Sequence, residues 1–168
     1  TIQFGTSMCY PISSFGAHVA ARPRTSLKTR GNVAMCGTFG YELDPRKLTD
    51  DEKAEVKQQI ADYRKYHRLV REGDFYRLVS PTENDFYCAW EFVSPDKQEA
   101  MMTAVVMRQP ETRYCVQRLR GLDPKTYYQD EETGTVYSGA MLMNAGLNLT
   151  RDVFEDGTSV TKHFKAVK

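Results

Sequence analysis

Between Thr49 and Glu72, Val56, Ile60, Tyr63, His67 and Val70 recur four, three, four and three positions apart, while Lys53, Glu55, Lys57, Gln58, Asp62 and Lys65 fall largely elsewhere. That spacing lays one apolar stripe along a helix. Thr49 and Glu52 have the spacing of a capping box at its start, and Gly73 is the expected left-handed stop. A stripe of this width packs on a sheet, so the helix is architectural. His67, at the margin of the stripe, is read as packing.

Beyond Gly73 the period shortens. Asp74 to Ser80, Asp85 to Val93, Glu99 to Met107 and Arg113 to Leu119 are strand-like, rich in aromatic and β-branched residues, with turns at Ser80-Pro81, Ser94-Pro95-Asp96 and Gln109-Pro110. Further runs follow at Thr126 to Gln129, Thr135 to Tyr137 and Ser159 to Val167. Short strands separated by hairpin turns predict an antiparallel sandwich. The change of period near Gly73 and Asp74 predicts a domain boundary, giving units 1–73 and 74–168.

The segment before Thr49 is less regular. Thr1 to Pro11 reads as a strand, with Gly5 to Tyr10 its strongest part, leading into a loop with a short helical turn over Ile12 to Thr29. Val33 to Cys36, bounded by Gly31, Gly37 and Gly40, suits a strand buried on both faces, with the helix to follow. Two strands and one helix leave a small parallel sheet with uncovered edges. Either the missing strands lie upstream in a longer protein, or Thr1 to Glu72 packs on the sandwich in a way the pattern does not define.

Composition narrows the function. The 168 residues are 40% hydrophobic and 27% charged, the balance of a globular protein, and a formal net charge of +1 argues against nucleic-acid binding. Arg22, Arg24, Lys28 and Arg30 are concentrated ahead of the first acid, Glu42, and are read as a solvated face. No run is long enough to span a membrane, and Thr1 opens no signal sequence, so a cytoplasmic location is expected. Cys9, Cys36, Cys88 and Cys115 are widely spaced with no histidine at ligand spacing, so no metal site, redox motif or cofactor is expected. Among the carboxylates, Glu42 and Asp44 read as a post-strand turn, and Asp50-Asp51-Glu52 as a helix start favoured by the macrodipole.

Several longer motifs occur in order: Ile2-Gln3-Phe4-Gly5-Thr6-Ser7, Tyr10-Pro11, Gly16-Ala17-His18-Val19, Thr29-Arg30-Gly31-Asn32-Val33-Ala34-Met35 and Gly37-Thr38-Phe39-Gly40-Tyr41-Glu42-Leu43-Asp44, followed by Gly73-Asp74-Phe75-Tyr76-Arg77-Leu78, Gly121-Leu122-Asp123-Pro124 and Met143-Asn144-Ala145-Gly146-Leu147. Together they closely resemble the carboxy-terminal third of bacterial α-galactosidases of glycoside hydrolase family 36. The resemblance implies an α+β chain: the last strands and last helix of a (β/α)8 barrel followed by a small antiparallel β-sandwich. It implies a retaining hydrolase of terminal α-galactosides of the melibiose and raffinose type, whose nucleophile and acid/base carboxylates lie on earlier barrel strands and have no matching position here. No catalytic residue is therefore carried over, and the upstream barrel is the implied partner, with a homo-oligomer as a further one.

Barrel enzymes place functional side chains at the carboxyl ends of strands, which on this reading lie near Tyr10 and Gly37-Thr38. Tyr10, His18 and Thr38 are thus the candidate pocket-lining residues. The family has a longer loop, with an Asn-His-Gln-like segment, where this chain has only Ala20 to Lys28, and the expectation is that residues are missing there rather than deleted. The rival reading is a non-catalytic sugar-binding or assembly module, with Trp90, Tyr87, Tyr114, Tyr127, Tyr128 and Tyr137 as stacking faces. Core packing is the preferred role for those aromatics.

Overall fold

A computed structural model describes residues 2–21, 25–84, 86–109, 115–152 and 155–167. The chain opens on helix α1 (Ile2–Thr6), followed by strand β1 (Gly16–Ala20), helix α2 (Leu27–Ala34), strand β2 (Thr38–Glu42) and helix α3 (Asp50–Glu72). Then come β3 (Asp74–Val79), β4 (Tyr87–Val93), β5 (Glu99–Val106), β6 (Val116–Gln117), β7 (Tyr127–Asp130), β8 (Val136–Ser138), helix α4 (Gly139–Asn144), β9 (Leu147–Asn148) and β10 (Ser159–Val167).

The amino-terminal part corrects three expectations. The opening segment is helical, not a strand: Phe4 and Ser7, three apart, are its buried residues, and Ser7 N–H donates to the Gln3 carbonyl at 3.0 Å. Val33 to Cys36 is not a strand either. Val33 and Ala34 end α2, and Met35 and Cys36 form the turn after it. Ser26 caps α2 by accepting from Thr29 N–H at 3.1 Å, and Leu27, Gly31 and Ala34 fall on its buried face. At Gly31 an added Cβ would stand 2.4 Å from the Gln59 side chain, so this glycine permits close approach of α2 to α3. The segment read as irregular, Ile12 to Thr29, contains β1. It pairs in parallel with β2, Gly16 opposite Thr38 through to Ala20 opposite Glu42, across α2.

Helix α3 forms as its pattern predicts. Thr49 Oγ1 accepts Glu52 N–H at 3.2 Å and Glu52 Oε2 accepts Thr49 N–H at 2.9 Å. Its end differs: Gly73 lies at φ −76°, ψ 156°, extended rather than left-handed, because the chain passes straight into β3 while Gly73 N–H still bonds the Leu69 carbonyl.

The remaining strands build a six-stranded antiparallel sheet in the order β3-β4-β5-β10-β7-β8. Of the expected strand 113–119 only β6 forms within the described residues, paired with β9. Both faces of the sheet are buried, and alternation along the strands separates them. Cys88, Trp90, Phe92 and Met101 pack with Met35, Cys36, Leu69 and Val70 of the helical part. Ala89, Val93, Ala100, Met102 and Ala104 pack with Leu119, Leu142, Leu147 and Leu149 of the β6, β9 and α4 layer. The outcome is the end of a barrel joined to a small antiparallel sandwich. The sequence runs unbroken from Ala20 to Lys28, so the short loop belongs to the chain itself rather than reflecting missing residues.

Candidate functional site

The parallel pair has two unlike faces. Ala17 and Val19 are fully buried and pack with Leu27 and Ala34 of α2, and Phe39, Tyr41 and Val56 pack against them. Tyr41 Oη donates to Gln59 Oε1 at 2.9 Å, and burial, with the nearby Glu55 charge, pushes the phenol up to about 12. By alternation, Gly16, His18 and Ala20 of β1 and Thr38, Gly40 and Glu42 of β2 share the opposite face. In a (β/α)8 barrel the helices ring the outside, so this second face is the one turned to the interior.

His18 is held on that face. Its Nδ1 lies 2.7 Å from Glu42 Oε1, and its ring lies across Gly40, where an added Cβ would come within 2.9 Å of Cδ2. The carboxyl ends of the strands are at Ala20 and Glu42, and Arg30 ties down the first of them through the Ala20 carbonyl. Of the three residues singled out from sequence, His18 and Thr38 share the interior face, with Thr38 at the amino end of β2. Tyr10 stands before β1, in the turn after α1, and is 63% exposed. The strand ends expected near Tyr10 and Thr38 are therefore one element early, and Glu42 is the side chain that sequence reasoning passed over.

The other carboxylates near the pair are occupied. Asp44 accepts from Arg46 through Oδ1 and Oδ2 at 2.9 and 3.0 Å, which holds its carboxyl below the usual range. Glu52 completes the helix cap and Asp50 pairs with Lys53. Among the described residues, no group of three or more His, Cys, Asp or Glu could hold a metal ion. No helix there is long and apolar enough to cross a membrane.

A second ionic cluster, invisible in the sequence, joins α3 to the sheet. His163 is buried, with Nδ1 2.7 Å from Glu131 and Nε2 2.6 Å from Glu99. Burial alone would raise the Glu131 carboxyl, but hydrogen bonds from Lys165 and Lys65 and the charge of His163 bring it well below its ordinary range. The proposed stacking aromatics are mostly core: Trp90 and Tyr128 are buried, Tyr87 and Tyr137 pack partly buried against the core, and Tyr127 is exposed. Tyr114 lies outside the described residues.

A parallel strand pair backed by helices, with an antiparallel sheet behind it, fits the end of a (β/α)8 barrel followed by a small β domain. The comparisons sharpen this. Residues 1–73 match the family described as Melibiase, and residues 87–164 match the glycosyl hydrolase family 36 C-terminal domain. The chain belongs to glycoside hydrolase family 36, as a segment of its carboxy-terminal part. It is 44% identical over 155 residues to the bifunctional α-galactosidase/sucrose kinase AgaSK of Mediterraneibacter gnavus, covering 88% of this chain and 16% of that protein. To the α-galactosidase AgaA of Geobacillus stearothermophilus it is 50% identical over 155 residues, 88% of this chain and 21% of the relative. With the α-galactosidase Mel36A of Lactobacillus acidophilus it shares 39% identity over 175 aligned residues, 99% of this chain and 23% of the relative. The galactosidase domain of AgaSK superposes with TM-score 0.93 at 42% identity, covering 99% of this chain and 24% of that one. A structure of a doubly substituted variant of AgaA from Geobacillus stearothermophilus in complex with raffinose superposes with TM-score 0.91 at 45% identity and the same coverage. The chain thus spans less than a quarter of the length of these relatives.

Proposed function

We propose that this chain is the carboxy-terminal part of a retaining α-galactosidase that hydrolyses terminal α-galactosides of the melibiose and raffinose type. The observation that carries the reading is the β1–α2–β2–α3 unit, whose helices cover one face and whose other face presents His18 and Glu42. Such a unit is part of a barrel wall. The two carboxylates that retaining chemistry requires, about 5–5.5 Å apart, belong on this reading to strands outside the chain. The names of the relatives and the raffinose bound to AgaA support the substrate class.

The same proposal divides the chain into a barrel end over 1–73 and a terminal domain over 74–168, supported by the change of period and by the span of the first matched family. The division is one of architecture and not of independent folding, because Met35, Cys36, Leu69 and Val70 share a core with Trp90 and Phe92. A cytoplasmic location and a homo-oligomer complete the proposal, the former supported by four free cysteines. An aryl α-galactoside assay tests the hydrolase reading: this chain alone gives no turnover, and the chain extended upstream through the barrel does. Turnover by the short chain overturns the reading.

A further inference from the structure

We propose that Glu42 is a specificity-determining residue at the mouth of the parent barrel, where it accepts hydrogen bonds from hydroxyls of the leaving-group sugar, and that His18 is the positioning residue that aims it. The inference rests on the hydrolase reading above.

Glu42 ends β2, and the carboxyl ends of barrel strands are where barrel enzymes bind substrate. Its Oε1 is engaged by His18 Nδ1 at 2.7 Å, while Oε2 makes no hydrogen bond among the described residues. Both side chains lie on the face away from the α2 and α3 packing, so neither contributes to the core behind them. The sequence also makes room for the imidazole: Gly40 lies beneath it, and Gly16 Cβ would stand 3.4 Å from Nε2. A ring seated on two glycines presents Nδ1 in one direction, toward the carboxyl end. That fixes one carboxylate oxygen and leaves the other to accept.

Recognition, not bond cleavage, is the role this geometry allows. Asp44, the next acid along the chain, is bound by Arg46 through both oxygens, so it is no partner for two-carboxylate chemistry. A carboxylate facing a sugar accepts short, charge-assisted hydrogen bonds from hydroxyls. Ala20, the register partner of Glu42, offers only a methyl group and so no competing hydrogen-bond donor from its side chain. On the hydrolase reading the reacting galactosyl unit sits at the carboxyl ends of the barrel strands, and the leaving-group sugar beyond it comes within reach of Glu42.

The test uses the parent protein containing this chain, assayed with raffinose and with an aryl α-galactoside whose leaving group has no sugar hydroxyls. Glu42→Gln, nearly isosteric, lowers the ratio of kcat/KM for raffinose to that for the aryl substrate about tenfold or more, chiefly through KM, as expected for a lost hydrogen bond to a charged group. His18→Ala lowers the same ratio, and His18→Asn, which keeps a donor near Nδ1, restores part of it. A merely structural role lowers both substrates alike and leaves the ratio fixed, which overturns the inference while the hydrolase reading stands. Turnover of neither substrate by the unmodified parent overturns the hydrolase reading and the inference with it.

Discussion

Glu91 gives the sharpest energetic prediction. It lies in β4, fully buried, on the sheet face that packs against Leu119 and Leu142. Its Oε2 accepts Arg120 N–H at 2.9 Å, while Oε1 has no hydrogen-bond partner among the described residues. Burial pushes the carboxyl up to about 8 from 4.5, against a smaller lowering by the Arg120 N–H. A pKa raised on folding means that the folded state binds the proton more tightly than the unfolded one. The stabilising contribution is then complete below about pH 4.5, declines as pH rises, and is gone above about pH 8. The difference, 8 − 4.5 = 3.5 units, corresponds to at most about 5 kcal/mol at roughly 1.4 kcal/mol per unit. Glu91→Gln keeps the shape and removes the titration. Urea unfolding of both proteins between pH 5 and pH 8.5 isolates this group, because every other titrating residue is common to both and cancels in the difference. The stability of the variant relative to the parent rises with pH by several kcal/mol. Parallel pH profiles would refute the reasoning.

Two further outcomes follow from the packing. Gly31→Ala brings a methyl group against the buried Gln59 amide, which must shift away from the Leu27 carbonyl and Tyr41 Oη that it bonds, and the lost hydrogen bonds lower stability by about 1–2 kcal/mol, seen as a depressed Tm. In native protein, Cys9 is the exposed thiol, whereas Cys36, Cys88 and Cys115 are buried and burial pushes the Cys36 thiol up to about 12. Titration with a thiol-specific disulfide reagent at pH 8 therefore shows one fast thiol, and all four after denaturation.

Legibility from sequence followed the strength of local signals. Helix α3 could be read because its stripe and the Thr49–Glu52 box agree, and the long strands β3, β4, β5 and β10 because aromatic and β-branched runs end at clear turns. The amino-terminal third was misread by one element. A four-residue apolar run between glycines fits a buried strand and a buried helix end equally well, and Val33 to Cys36 is the helix end and its turn. The resolving signal was Ser26, which caps α2, while Gly31 serves a helix contact and not a stop. β1 escaped notice because its two buried residues, Ala17 and Val19, are small and its alternation lasts only five positions. His18 was found through the resemblance. Its pairing with Glu42 depends on the parallel register of strands more than twenty residues apart, and no local pattern encodes that. The same holds for His163 between Glu99 and Glu131.

The central claim is that this chain closes the barrel of a retaining α-galactosidase. It is tested most directly by following raffinose hydrolysis with the parent protein by proton NMR. The account predicts that α-galactose appears first and then equilibrates with the β anomer, as a double-displacement reaction requires. Initial release of β-galactose, or no release of galactose at all, would contradict it.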